Sequence, residues 1–269
     1  MKPAIITLLT DFGSQDYFVG AMKGAILSIN PGASIVDITH EISPQDIRAA
    51  AFNLLAVYKE FPAGTIHVVV VDPGVGSARR SIILECAGQF FVGPDNGVFS
   101  WICEREDDSL AVHLTNEKFF RHPVSQTFHG RDIFAPVAAA LANGVDLKEF
   151  GPVIDDLIQL ESLQPRTLDD GVTEAWIIHI DRFGNCITNL TRDYLAGGQI
   201  AAGAKLVVNG HEVSSFREFF ADGGVDQGGL FCLFGNAGFL EIAAQNSSAA
   251  KILDAERGHS VILLAGREN

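Results

Sequence analysis

Cysteine and positive charge are both scarce in this sequence. Four cysteines are scattered along the chain without a Cys-x-x-Cys pair. The pattern therefore indicates neither a zinc site nor a redox motif, and reduced thiols are expected. Nineteen basic residues stand against 33 acidic ones, which gives a formal net charge of -14. A field of that sign repels phosphate backbones and acidic lipids, so neither nucleic acid nor a membrane is an expected partner.

Long hydrophobic runs are also missing. The apolar run at residues 4–9 ends before Asp11, so it is too short for a signal-peptide core or a transmembrane helix. We therefore expect a cytoplasmic protein. Charged residues make up 19% of the chain and hydrophobic residues 47%, a balance typical of folded globular proteins. A length of 269 residues allows one or two domains.

Strand-like and helix-like segments alternate through residues 1–163. Short apolar runs end at turn formers, and segments with helical spacing follow them. This alternation predicts an α/β domain with a largely parallel sheet. The predicted strands are 4–9, 34–38, 66–71, 82–84 and 90–92, and the predicted helices are 19–29, 47–58 and 133–143. Pro136 is expected in the first turn of the last helix.

The pattern changes after residue 163. The stretch from Leu163 to Gly171 has turn formers, charge and no periodicity, which predicts a domain boundary. Short strand-like runs separated by glycine and asparagine turns follow it, so residues 172–269 are predicted to form a mostly antiparallel β domain. Its predicted strands are 175–180, 187–190, 205–208, 229–234, 239–243 and 260–264.

Two aspartates follow predicted strands at the sheet edge where ligands bind. Asp11 comes after the first strand and Asp72 after the third, and ligands of open α/β sheets lie beyond the carboxyl ends of the strands. A carboxylate at this edge can accept hydrogen bonds from both hydroxyls of a ribose. Simpler roles are open as well, with Asp11 capping the next helix and Asp72 opening a turn before Pro73.

A glycine-rich loop begins at Asp72. Gly74 and Gly76 match the start of a dinucleotide-binding fingerprint, but Arg79 occupies the position of the third glycine. No GxxxxGK string followed by serine or threonine occurs in the sequence. The glycines are therefore expected to let the backbone turn tightly, and a nicotinamide dehydrogenase ranks last among the functional alternatives.

The stretch 128–132 runs directly into the predicted helix at 133–143. Its amides and side chains lie at the positive end of a helix dipole, which suits an oxyanion or a polarised water molecule. His129 is the candidate reactive group, beside a structural alternative in which the histidine packs and Asp132 caps the helix. The other histidines are interpreted as structural: His40, His67, His113, His122, His179, His211 and His259.

The second domain contains two turns rich in glycine and asparagine. Residues 180–185 have hairpin-loop chemistry, and residues 236–238 precede a predicted strand. Taken alone, each is explained by a plain turn. The aromatic residues Phe216, Phe219 and Phe220 are interpreted as core rather than as a stacking surface.

Five short motifs, taken together and in this order, resemble the S-adenosyl-L-methionine hydroxide adenosyltransferase family. They are TDFG at 10–13, VVDPGVGSARR at 70–80, GPDNG at 93–97, FHGRD at 128–132 and IDRFGN at 180–185. The resemblance covers nearly the whole chain. It implies an α/β N-terminal domain and a β-barrel-like C-terminal domain, a fold related to that of enzymes that make fluoro- or chloro-adenosine.

The resemblance implies hydrolysis of S-adenosyl-L-methionine (SAM). Water or hydroxide would attack the ribose C5′ and give adenosine and L-methionine, with no metal and no other cofactor. The family's reactive trio falls on Asp72, Arg79 and His129. Under this hypothesis Arg79 and His129 hold one water molecule, Arg79 stabilises its hydroxide character, and Asp72 fixes Arg79. Asp72 is one candidate for the general base, and the choice of base stays open at this point.

The same resemblance implies substrate contacts from both domains. Asp11 would bind the ribose hydroxyls and Asp72 would line the same pocket, whereas Gln45 replaces a tryptophan of the halogenases, so that pocket wall does not carry over. The family's ligand lies between the N-terminal domain of one subunit and the C-terminal domain of the next, so a homotrimer is expected.

The implied contacts from the second domain concern adenine and methionine. Asn185 corresponds to the family residue that contacts adenine, and Phe220 would stack on the base. Asn236 and Glu241 would meet the carboxylate and ammonium groups of methionine.

Two other functions are alternatives. A SAM-dependent halogenase is disfavoured because the halogenating relatives carry a tyrosine and a serine where this chain has His129 and Gly130. A non-catalytic module that binds SAM or a nucleoside would leave its ligand intact.

Overall fold

The structure is a computed structural model that describes residues 4–168, 172–195, 203–222 and 229–264. The chain divides into two units, Met1–Ser162 and Leu163–Asn269. Among the described helices, none combines the length and the apolar character needed to cross a membrane.

A largely parallel β-sheet forms the centre of the first unit. Across the sheet the order is β2-β1-β3-β5-β4-β6-β7; the first four run parallel, and β4, β6 and β7 pair antiparallel at one side. The predicted α/β class is confirmed. The strands are β1 Ile5–Thr10, β2 Ser34–Thr39, β3 Ile66–Val70, β4 Ser81–Cys86, β5 Gln89–Pro94, β6 Ser109–His113 and β7 Val153–Ile154.

The helices of this unit are α1 Phe18–Ile29, α2 Ile47–Val57, α3 Ser100–Arg105 and α4 Ala135–Ala142. Helices α1 and α4 pack together, and Met22, Ile26 and Ala138 belong to the buried cluster between them and the sheet. The alanines of α4 allow this close approach because they add little volume. Pro136 lies in the first turn of α4, as predicted.

Helical structure before α4 begins earlier than the sequence predicted. A π-helical segment, Gly130–Phe134, precedes α4, so the FHGRD motif is part of the helix and not only its approach. The helix-cap alternative for Asp132 is wrong. Its fully buried carboxylate accepts hydrogen bonds from the Ser125 amide at 2.9 Å and from Nε of Arg131 at 2.6 Å.

The second unit is an antiparallel sheet of the order β12-β11-β15-β9-β10-β14-β13, with β8 on β9. Cys232 in β13 exchanges backbone hydrogen bonds of 2.8 Å with Ser215 and Arg217, which follow β12, so the two sheet edges nearly close into a barrel. The predicted β-barrel-like class is confirmed. The elements are β8 Arg166–Thr167, β9 Thr173–Ile180, β10 Cys186–Thr191, α5 Arg192–Leu195, β11 Lys205–Val208, β12 His211–Val213, β13 Leu230–Phe234, β14 Phe239–Ala244, α6 Ala249–Ile252 and β15 Ser260–Leu264.

Alternating side chains fill the inside of this second sheet. Ala175 and Ile177 from β9, Leu240 and Ile242 from β14 and Val261 from β15 are buried in one cluster. This spacing of two places apolar residues on one face, as expected for strands packed on one side.

Candidate active site

A cavity of about 400 Å³ lies in the first unit, at the carboxyl ends of β1 and β3. Its lining comes from four stretches of chain, which contribute Asp11, Gln45, Asp72 and His129 among others. This is the edge at which open α/β sheets bind ligands. The structure therefore brings both predicted strand-end aspartates and the candidate histidine to one cavity.

Asp72 and Arg79 form a buried ion pair beside this cavity. Nε of Arg79 donates to the two carboxylate oxygens of Asp72 at 2.9 and 3.0 Å, and Nη2 contacts the Oδ2 oxygen. The Arg79 and Asp72 side chains are only 9% and 5% exposed. Charges removed from water to this degree need direct, hydrogen-bonded partners, and the fork of arginine supplies them.

Arg79 also bonds His129, from which it is separated by 50 residues of chain. Its Nη2 atom donates to Nδ1 of His129 over 2.6 Å. Arginine has no acceptor, so Nδ1 is unprotonated and the neutral ring carries its proton on Nε2. Burial, reinforced by the Arg79 charge, lowers the pKa of His129. Both effects favour a neutral imidazole that presents an N–H donor.

The guanidinium of Arg79 is held on further sides. Its Nη1 donates to Oγ of Ser81 at 2.7 Å, and its central carbon lies 5.4 Å from the centre of the Phe134 ring. These contacts leave the trio with one acceptor and one donor for a small molecule. Among the described residues, Oδ1 of Asp72 accepts one hydrogen bond only, and Nε2–H of His129 meets no acceptor.

Gly76 explains how the loop of Asp72 and Arg79 reaches the segment of His129. Its φ is 77°, and a Cβ at this position would lie 2.3 Å from the carbonyl oxygen of Gln126. Only glycine tolerates both the left-handed backbone and this approach. The prediction of a tight glycine turn is confirmed, and the carbonyl of Asp72 also accepts from the amide of Val75 at 3.2 Å.

Asp11 faces the cavity with part of its carboxylate unused. Its Oδ2 accepts the backbone N–H of Gln45 at 2.8 Å, and among the described residues Oδ1 has no partner. Gln45 itself has a φ of 68°. The helix-cap alternative for Asp11 is wrong, because Tyr17 precedes α1 and no side chain caps that helix.

Three phenylalanines form one apolar wall of the cavity. The rings of Phe12, Phe18 and Phe128 lie 5.2 to 5.8 Å apart between centroids. No sequence pattern predicted these three rings as site residues. Phe12 and Phe128 stand inside two of the five motifs, TDFG and FHGRD, which is the signal that could have identified them.

The second unit has a separate cavity of about 510 Å³ that Asn185 and Phe220 both line. Phe220 is 48% exposed and Phe219 56%, so the prediction that both belong to the core is wrong. Phe183, which the sequence analysis missed as a site residue, lines the same cavity and is 77% exposed. Its place in IDRFGN was the available signal.

Asn185 has a fixed orientation in the hairpin between β9 and β10. Its Nδ2 donates to Oδ2 of Asp181 at 2.8 Å, and Oδ1 of Asp181 accepts the amides of Phe183 and Asn185 at 2.8 and 2.9 Å. The side-chain oxygen of Asn185 is thereby the atom available for a ligand.

Asn236 and Glu241 do not line that cavity: Asn236 lies in the turn after β13, and Glu241 lies in β14. Asn236 is exposed between β13 and β14, and the Glu241 carboxyl lies directly over Gly235, the residue before Asn236. Burial, together with the nearby Asp181 carboxylate, raises the pKa of Glu241 to about 7. Within the described ranges, no three His, Cys, Asp or Glu side chains are grouped to hold a metal ion.

Comparisons with family models assign both units. The SAM hydroxide adenosyltransferase N-terminal domain matches residues 6–151, and the SAM hydroxide adenosyltransferase C-terminal domain matches residues 175–262. The first match contains the motifs from TDFG to FHGRD, and the second contains IDRFGN.

Individual proteins agree with the family models. An (R)-S-adenosyl-L-methionine hydrolase from Methanocaldococcus jannaschii is 38% identical, over 94% of this chain and 92% of its own. A fluorinase from Nocardia brasiliensis is 26% identical over 97% of both chains. The crystal structure of an uncharacterized conserved protein from Thermotoga maritima is 35% identical with a TM-score of 0.88, covering 96% of this chain and 99% of that one.

Proposed function

Since the chain belongs to the S-adenosyl-L-methionine hydroxide adenosyltransferase family, we propose that it hydrolyses SAM to adenosine and L-methionine. One observation carries the proposal: Asp72 and His129 line one cavity, and Arg79 bonds both of them. The cavity of about 400 Å³ has the size of a small-molecule site. The reaction forms a bond from the water oxygen to C5′ and breaks the C5′–S bond, whose electron pair stays on sulfur.

The chemistry asks little of a general acid. The leaving group is a neutral thioether, and the sulfonium charge disappears as the C5′–S bond breaks. The rings of Phe12, Phe18 and Phe128 form an apolar, water-poor surface. Such a surface destabilises the localised sulfonium charge of the bound substrate more than the dispersed charge of the transition state. Holding water in line with the breaking bond supplies the rest, up to ~7–11 kcal/mol in well-aligned systems.

His129 and Asp72 are the proposed partners of the attacking water. Nε2–H of His129 donates to the water oxygen, and Oδ1 of Asp72 accepts one of its protons. Arg79 acts through both, because its guanidinium holds the Asp72 carboxylate and its Nη2 fixes the His129 tautomer. When the O–C5′ bond forms, that proton passes to Asp72 and then to solvent.

Substrate binding is proposed for residues of both units. The free Oδ1 of Asp11 accepts the ribose hydroxyls, the side-chain oxygen of Asn185 accepts the amino group of adenine, and Phe220 stacks on the base. The exposure of Phe183 supports a second stacking contact. Glu241 and Asn236 are proposed to bind the methionine ammonium and carboxylate groups.

The proposed assembly is a homotrimer, with residues 1–163 of one subunit and 172–269 of the next completing each adenosyl site. The two separate sets of proposed contacts, one in each unit, support this arrangement. Sedimentation measured beside turnover tests it. Activity that stays with a stable monomer would contradict it.

The deciding experiment for the reaction is turnover in isotopically heavy water. Purified protein is incubated in H₂¹⁸O with each sulfonium epimer of SAM in turn, because the name of the Methanocaldococcus jannaschii relative specifies the R epimer. We expect ¹⁸O at O5′ of adenosine and none in methionine. A parallel incubation contains chloride. Formation of 5′-chloroadenosine would indicate a halogenase, and intact SAM after long incubation would indicate a binding module.

A further inference from the structure

The GPDNG turn at 93–97 begins with the last two residues of β5 and lines no part of the cavity, yet it bonds to the residue just before Asp72. Nδ2 of Asn96 donates to the carbonyl oxygen of Val71 at 2.9 Å. Oδ1 of the same side chain accepts the amide of Val98 at 3.2 Å, which fixes the side chain inside its own turn. Asn96 therefore holds the beginning of the loop that carries Asp72.

The neighbouring residue holds the other end of that loop. The amide of Asp95 donates to the carbonyl of Arg80 at 3.0 Å, and the Asp95 carboxylate accepts Nε of Arg80 at 2.8 Å. Arg80 directly follows Arg79. Asp95 is only 2% exposed, and its second oxygen accepts the amide of Ile158 at 2.9 Å, so it is anchored on the opposite side as well.

Between these two anchors the loop is irregular. Residues 72–79 form neither helix nor strand and contain two glycines. Such a stretch has many conformations, and freezing it needs bonds from outside. The turn at 93–97 provides them at both ends, since consecutive residues bind the carbonyl before Asp72 and the residue after Arg79.

We propose that Asp95 and Asn96 are positioning residues for the hydrolysis: they hold the loop so that Asp72 and Arg79 stand where the water and His129 meet them. The role rests on the proposed function of the cavity. A displacement of about 1 Å at a reacting group can lower a rate about 100-fold, while substrate contacts made elsewhere are little affected. We call the bonds from Asp95 and Asn96 to the two ends of the loop the clamp. Loss of the clamp therefore lowers kcat rather than raising KM.

The substitution Asn96→Asp isolates the clamp. A carboxylate keeps the shape of the side chain and the acceptor for Val98, but it turns an oxygen toward the Val71 carbonyl in place of an N–H donor. Asn116→Asp is the matched control. Asn116 makes the same pair of bonds, from Nδ2 to the carbonyl of Glu149 at 2.7 Å and from Oδ1 to the amide of Lys118 at 3.3 Å, away from the cavity.

The experiment measures kcat and KM for adenosine release at pH 8 for the wild type, both variants, Arg79→Ala and the double variant Asn96→Asp/Arg79→Ala. We expect Asn96→Asp to lower kcat about ten-fold or more with KM within about three-fold, and Asn116→Asp to change neither. In the Arg79→Ala background the same Asn96→Asp change is expected to lower kcat by less than about two-fold, because without Arg79 the position of the loop no longer joins Asp72 to His129.

Three results would overturn the positioning role. They are an unchanged kcat in Asn96→Asp, an equal loss in Asn116→Asp, and an equal fold-loss in the Arg79→Ala background, which would indicate general destabilisation. A wild-type chain that releases no adenosine from SAM would overturn the proposed function and this role together, whereas an active wild type beside a fully active Asn96→Asp would overturn this role alone.

Discussion

Nη2 of Arg79 donates to Nδ1 of His129 over 2.6 Å, and the direction of that bond determines what the imidazole can do. A ring whose Nδ1 accepts is neutral and carries its proton on Nε2, so it donates to a bound water and does not remove a proton from it. Protonation of Nδ1 would point its N–H at the N–H of Arg79 and place two positive charges side by side.

Replacing His129 by alanine is expected to lower kcat ~100-fold or more and to leave KM nearly unchanged. The variant loses a donor to the attacking water but no proposed substrate contact. Steady-state release of adenosine gives both constants. His211→Ala is the control, because His211 is exposed at the start of β12 in the other unit. Full turnover in His129→Ala would remove this side chain from the mechanism.

Turnover is expected to fall at acid pH with an apparent pKa below 6.5. Burial and the Arg79 charge lower the pKa of His129 below its ordinary value of 6.5, so the active neutral ring persists as the pH falls through that value. Further acidification adds the proton and breaks the bond from Arg79. A profile of log kcat against pH measures the midpoint.

The matching variant for this profile is His129→Ala, in which the acid limb should disappear from the residual activity. A limb centred above pH 6.5, or the same limb in the variant, would assign the titration to another group.

Gly76→Ala is expected to damage both stability and activity. The left-handed φ alone costs about 1–2 kcal/mol for a residue with a Cβ, and the contact with the Gln126 carbonyl forces the loop to move. We expect kcat to fall about ten-fold or more. Gly64→Ala is the control, since Gly64 has a φ of 81° with nothing within 4 Å of the added Cβ.

Urea unfolding and kinetics on both variants separate the two effects. Gly64→Ala should lose only the stability that the left-handed φ costs, and it should keep the wild-type kcat. Equal losses of stability and full activity in both variants would mean that the approach of the loop to Gln126 is unimportant.

Strands with strong local patterns could be predicted from the sequence. The apolar run of β3 is predicted at 66–71 and found at Ile66–Val70, and β15 is found at its predicted bounds. Elements defined by their partners could not. Strand β6, Ser109–His113, has two exposed residues and obtains its identity by pairing with β4, and α3 has only six residues, too few to show a helical period.

The site shows the same division. The order of the motifs was enough to select Asp72, Arg79 and His129 as candidates. No local pattern indicates that Arg79 bonds Nδ1 of the histidine or that the backbone of Gly76 lies close to the carbonyl of Gln126. Such contacts depend on where two distant loops cross. In the second unit a local pattern was misleading. An aromatic cluster usually indicates a core, but Phe219 and Phe220 are exposed.

Stability of the first unit is expected to decrease as the pH falls from 6.5 to 4, because His67 is buried as a neutral ring. Its Nδ1 lies 2.7 Å from Oγ1 of Thr7 and its Nε2 lies 3.0 Å from Oε1 of Gln89, while the amide nitrogen of Gln89 donates to the Phe61 carbonyl. Burial lowers the pKa of His67 to about 4. As the pH falls, His67 therefore binds a proton near pH 6.5 in the unfolded chain but only near pH 4 in the folded chain.

The stabilisation is complete above pH 6.5 and is lost across this window, by roughly 3 kcal/mol for a difference of this size. Urea unfolding of the wild type and of His67→Asn at several pH values measures it. The variant should be less stable near neutral pH, because Thr7 and Gln89 lose a partner, and the gap between the two proteins should narrow toward pH 4. His129 and the carboxylates titrate in both proteins, so the changing gap belongs to His67. If the difference in the free energy of unfolding stays constant from pH 7 to 4, His67 has the same pKa in the folded and unfolded chains, and the prediction is wrong.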